Sequence, residues 1–158
     1  MDDMDTIAFN VRESEEAGHR YSWVDIRVNG VLLPDLLRDV EMEHLGGREP
    51  SVAGKYEGLW AADVLPPSRH YWGDPKPLYE AGYGRVMVMG CSCGEAGCWP
   101  LECNIEVGPE VVVWSSFRNP HLSEYEYEGV GPFRFSRAEY ESALRTASES
   151  LRPSGPRP

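Results

Sequence analysis

Positive charge is scarce in this chain. Its 15 Lys and Arg stand against 26 Asp and Glu, for a formal net charge of −11. Binding to nucleic acid draws on Lys and Arg to displace counterions from phosphates, so no nucleic-acid partner is expected. A basic protein partner fits the charge better. Long apolar runs are lacking too. No stretch approaches the roughly 18 residues of a membrane-spanning helix, so no membrane partner is expected. The opening segment MDDMDTIAFNVRESEE is acidic and holds no apolar core, so no secretory leader is expected. The expected location is cytoplasmic, where thiols stay reduced. A phosphate loop, a dinucleotide fingerprint, a serine-nucleophile elbow and an HExxH helix are all absent. Their absence removes the enzyme classes that short motifs announce. It leaves open a site assembled from distant positions, so an enzyme is neither claimed nor excluded. Cysteine is missing everywhere except between positions 91 and 103.

What is present describes a soluble α+β domain. The 158 residues are 41% hydrophobic, with 5 Trp and 8 Tyr, enough to bury a core. Thr6 to Val11 reads as a strand. Trp23, Asp25 and Arg27 then alternate with Val24, Ile26 and Val28, the period of a half-buried strand. Asn29-Gly30 signals a tight turn, because both residues tolerate positive φ. The period changes in LPDLLRDVEMEHLGG, where Leu33, Leu36, Leu37 and Val40 share a helical face, Pro34 suits the first turn and Gly46-Gly47 ends the helix. Residues 48–83 show little period, and within them LPPSRHYWGDPKP, with four prolines, reads as a long loop. Within it, Arg69 and His70 are candidates for an anion or substrate site, with Trp72 beside them. The competing expectation has Tyr71 and Trp72 pinning the loop while Arg69 and His70 face water.

The second half reads as strands at Arg85–Met89, Trp99–Val107, Glu110–Phe117 and Tyr125–Tyr127, with a short strand at Phe133 and Phe135. Ser136 and Glu139 form a capping box. Tyr140, Leu144, Ala147 and Leu151 then repeat at helical spacing. The expected fold is α+β: a mainly antiparallel sheet, a short helix in the first half and a C-terminal helix packed on the sheet. Residues 1–151 form one domain, and 152–158 form a disordered tail.

The four cysteines lie in GCSCGEAGCWPLEC, spaced Cys-x-Cys-x4-Cys-x4-Cys. Cys91 and Cys93 follow a strand, and residues two apart in an extended chain point to one side. Gly94 and Gly97 allow a sharp turn that returns Cys98 on the far arm, so the three sulfurs converge. Thiolates in this arrangement suit zinc, which favours tetrahedral N/S ligation. Candidates for the fourth position are Cys103, His121 in FRNPH, or an open site, the last being the catalytic arrangement. Cys103 shares strand parity with Leu101, Ile105 and Val107, which also suits a core residue. Inert thiols, a disulfide or thiol exchange are the competing uses.

CSCGEAGCWPL, followed by VWSSFRNPH and GPFRFSRAEY, resembles a widespread family of uncharacterised bacterial proteins. The likeness covers about Arg85 to Leu144. The positions that carry it are Cys91, Cys93, Gly94, Cys98, Trp99, Pro100, Trp114, Phe117, Pro120 and His121. Cys103 falls outside the family's pattern, so the resemblance implies His121, or no fourth protein ligand. It implies no reaction. The expected function is a protein-binding module whose cysteine hairpin holds a structural zinc on Cys91, Cys93, Cys98 and His121. The alternative is a metal- or thiol-dependent enzyme using Cys91, Cys93 and Cys98, with the Arg69–Trp72 loop lining a pocket.

Overall fold

Two tight turns organise the first sheet. In the computed structural model, which describes residues 4–45, 56–81, 84–91, 100–120, 127 and 130–151, Asn29 and Gly30 have φ of 54° and 84°. That pair of left-handed residues matches the twist of a two-residue hairpin. It joins strand β2 (His19–Val28) to the short β3 (Val31–Leu32), with Val28 opposite Val31. Ala17 and Gly18, at 53° and 81°, make the same kind of turn before β2. Strand β1 (Ile7–Glu16) therefore pairs with β2 in unbroken antiparallel register from Ile7↔Val28 to Glu16↔His19. The sequence reading ends β1 at Val11. The strand continues because backbone pairing holds an arm whose side chains, Arg12, Glu13 and Glu15 among them, face water.

Helix α1 (Leu33–Leu45) follows β3 directly. The chain next contributes β4 (Tyr56–Glu57), β5 (Leu59–Trp60), the one-turn α2 (Ala61–Val64) and 3-10 turns at His70–Trp72 and Pro77–Tyr79. The weakly patterned stretch 48–83 is thus structured across its described part, 56–81, and the loop expected at LPPSRHYWGDPKP holds the 3-10 turn at His70–Trp72. Two-residue strands are too short to leave a period in the sequence. β5 extends the first sheet by pairing with β2 at Trp23↔Trp60, whereas β4 belongs to a second sheet. Gly58 is the switch between them. A Cβ there would lie 2.1 Å from the Val24 carbonyl oxygen, so only glycine passes.

The second sheet has the order β4-β6-β7-β8-β9, with β6 at Val86–Cys91, β7 at Leu101–Val107, β8 at Val111–Arg118 and β9 at Phe133–Ser136. Every pairing in it is antiparallel. The fold is α+β as expected, with the strands divided between two sheets and not gathered in one. Asp5 joins the sheets at a further point, bridging Phe135 and exchanging hydrogen bonds with Arg134 of 2.7 and 2.9 Å.

Helix α3 (Arg137–Ser150) buries Tyr140, Leu144 and Ala147, the face the sequence marks, against β1, β8 and β9. The Ser136 hydroxyl accepts from the Glu139 amide at 3.3 Å. Ser136→Ala should therefore cost about 1 kcal/mol in a urea melt, and an unchanged midpoint would show that the cap is idle. One apolar core spans both sheets, with Phe9, Tyr71, Trp114, Phe135 and Tyr140 at its centre. No helix among the described residues is long and apolar enough to cross a membrane. The strand expected at Tyr125–Tyr127 is described only at Tyr127, which lies in a 3-10 turn, and the tail at 152–158 lies outside the described residues.

Candidate functional site

β6 and β7 are antiparallel neighbours, with Met89 opposite Leu101, so the cysteine-bearing segment connects two arms of a hairpin. Cys93, Cys98 and His121 lie outside the described residues, as does Trp99. Cys91 is described. It ends β6, is half-buried and sits opposite Tyr56 of β4. Directly opposed residues of an antiparallel pair project from the same face, so Cys91 and Tyr56 are side-chain neighbours.

Cys103 is elsewhere. It opposes Val86, five residues back along β6, which is about 16 Å of extended chain from Cys91. It is fully buried beside Tyr71 and Tyr140, and burial pushes its thiol well above the ordinary range. Cys103 is therefore a core residue. Among the described residues, no group of three or more His, Cys, Asp or Glu side chains is placed to hold a metal.

The base of the hairpin stands on a buried polar cluster that the sequence reading misses. Glu41 of α1 is fully buried. Its Oε2 accepts from the Tyr56 hydroxyl and, at 2.5 Å, from the Tyr127 hydroxyl. The Asn119 amide nitrogen donates to the Tyr56 oxygen at 3.0 Å. Burial, and then the neighbouring Glu41, hold the Tyr56 phenol far above its usual range; burial acts first on Tyr127 as well. Both phenols remain protonated donors. The cluster ties α1, β4, the end of β8 and Tyr127 together next to Cys91. A signal for it exists: Leu33, Leu37 and Glu41 are spaced four apart, which puts a carboxylate in line with two buried leucines.

The Arg69–Trp72 segment divides its residues. Arg69 is exposed, and its guanidinium carbon lies 5.9 Å from the centre of the half-buried Trp72 ring. These two line a concavity of about 360 Å³, and His70 does not. Tyr71 is fully buried, as the pinning expectation requires, but His70 is buried with it and faces no water. Its Nε2 donates to the Met87 carbonyl at 2.7 Å, and its ring meets Tyr71 and Tyr79 edge-on. Burial lowers the His70 pKa to about 4, against smaller raising effects from the Met87 carbonyl and Asp63.

A depressed histidine pKa binds its proton more weakly in the folded state than in the unfolded one. Its stability contribution is therefore complete above the unfolded value of about 6.5 and is lost as pH falls toward 4. The loss should reach roughly 3 kcal/mol at about 1.4 kcal/mol per unit. Urea melts between those pH values should show a shallower decline for His70→Gln, and parallel declines would contradict the assignment.

Comparisons with family models, curated proteins and solved structures find no match to this chain.

Proposed function

We propose that the chain is a binding module whose recognition end is the cysteine hairpin, clasped by a structural zinc ion on Cys91, Cys93, Cys98 and His121. One observation carries the proposal: the described ends of the segments that bear these ligands meet on one foundation. Cys91 opposes Tyr56, and Tyr56 receives the hydrogen bond from Asn119, two residues before His121. On the return arm, Pro100 is buried and leads into Leu101 opposite Met89. The removal of Cys103 to the core supports His121 as the fourth donor. Three thiolates and one imidazole are a donor set that zinc accepts in structural sites.

Glu41, Tyr56, Asn119 and Tyr127 satisfy one another at the base of the hairpin, which suits a rigid support and favours the module over the thiol enzyme. The partner we propose is a basic protein, drawn by the net charge of −11. The compartment is the cytoplasm, where thiols stay reduced.

Metal affinity of this kind appears as folding energy, since the unfolded chain has no preformed site. A chelator should lower the melting temperature, and Cys93→Ser should lower it to the same extent and abolish the chelator's effect. Collapse is not expected, because the rings packed around Trp114, those of Phe9, Tyr71, Phe135 and Tyr140, come from other segments of the chain. A melt indifferent to both chelator and substitution would refute the proposal.

A further inference from the structure

We infer that the concavity between the Pro66–Trp72 segment and one flank of α3 binds a small organic phosphate, held by Arg69, Arg137 and Arg145 beside Trp72. This inference is independent of the cysteine hairpin.

The helix wall follows from spacing. Arg137, Glu141, Leu144, Arg145 and Ser148 recur at three- and four-residue intervals and so share one stripe of α3. The facing segment contributes Pro66, Arg69 and Trp72. The walls are fastened together, because the Ser148 hydroxyl donates to the Pro66 carbonyl at 3.0 Å. Trp72 is set edge-on against buried Tyr140, with ring centres 5.2 Å apart. Arg137 is positioned by a 2.9 Å bond to the Gly108 carbonyl, and its guanidinium carbon lies 5.5 Å from the Trp72 ring centre. The site is thus largely formed before any ligand arrives, which lowers the ordering cost of binding.

Charge then selects the ligand. In a chain with 15 basic residues against 26 acidic ones, three arginines line one small concavity. The ion pairs among the described residues are Arg12 with Asp25 and Glu57, Arg38 with Asp35, and Lys76 with Asp63. None of the three arginines takes part in them. Three arginines against Glu141 and Glu149 leave the lining with a net positive charge that an anion can neutralise. Guanidinium forks match phosphate oxygens in geometry and charge. Glu141 and Glu149 in the same lining oppose a polyphosphate or a long polyanion and leave room for one phosphate group. A volume of about 360 Å³ is at the small end for ligand pockets, and Trp72 offers a surface for the organic part.

The test is isothermal titration of the full chain at low salt with phenyl phosphate, inorganic phosphate and benzoate. The variant is Arg69→Gln with Arg145→Gln, since both side chains are exposed and neither fastens the walls. Phenyl phosphate should bind most tightly, and the double substitution should weaken it about tenfold or more while the melting temperature holds. Affinity unchanged in the variant, or no binding at all, would overturn the site. Benzoate or inorganic phosphate binding as tightly as phenyl phosphate would overturn the ligand class.

Discussion

Glu41→Ala should destabilise the protein by about 2–6 kcal/mol, because it leaves two buried phenols without their acceptor at about 1–3 kcal/mol each. Tyr56 and Tyr127 both donate to the same Glu41 oxygen, and neither can turn to water while the fold holds. Glu41→Gln keeps a carbonyl oxygen at that position and should cost much less. The ordering separates a polar tie from simple space-filling. Adding Tyr56→Phe to Glu41→Ala removes one orphan along with its donor, so the second substitution should cost far less than it does alone. Denaturant melts of the wild type and the four variants measure this. Equal costs for Ala and Gln, with full additivity, would mean that the carboxylate is not the organising group.

Trp114→Ala should cost about 3–5 kcal/mol, the range for deleting a large aromatic from a core. Trp114 is fully buried. Its ring lies 6.3 Å from Tyr71, 5.8 Å from Phe135 and 6.3 Å from Tyr140. Its indole nitrogen donates to the Tyr140 hydroxyl at 3.1 Å, and that hydroxyl donates in turn to the Tyr71 carbonyl. The substitution opens a hole among rings contributed by β1, the His70–Trp72 turn, β9 and α3, so both sheets and the terminal helix loosen together. Trp114→Phe keeps most of the volume and forfeits one hydrogen bond, for about 1–2 kcal/mol. A Trp114→Ala loss below that of Trp114→Phe would show that the ring cluster does not hold the sheets together.

The terminal helix was legible in the sequence because its cap and its apolar stripe agree, and Asn29-Gly30 announced its hairpin by residue type. Other elements left no local trace. The outer half of β1 is polar because it extends past the core, and its pairing depends on the Ala17-Gly18 turn, whose first residue carries little turn signal. β4 and β5 form where Gly58 lets the chain cross against Val24, a contact between residues far apart in sequence. His70 looked like a solvent-facing or ligand-binding group. Its burial depends on the Met87 carbonyl, which no reading of its own loop reveals. The cysteine spacing pointed to a hairpin following a strand, but the support beneath it draws Glu41, Tyr56, Asn119 and Tyr127 from four separate segments. Only Glu41 could have been suspected, as a carboxylate continuing the line of Leu33 and Leu37.

The most direct test of the zinc-clasped hairpin is the metal content of the chain purified without chelator, read by elemental analysis beside Cys93→Ser and Cys103→Ser. The account predicts close to one zinc per chain in the wild type, retention of that zinc in Cys103→Ser, whose thiol is in the core, and loss in Cys93→Ser. A wild-type chain with no more metal than Cys93→Ser would contradict it.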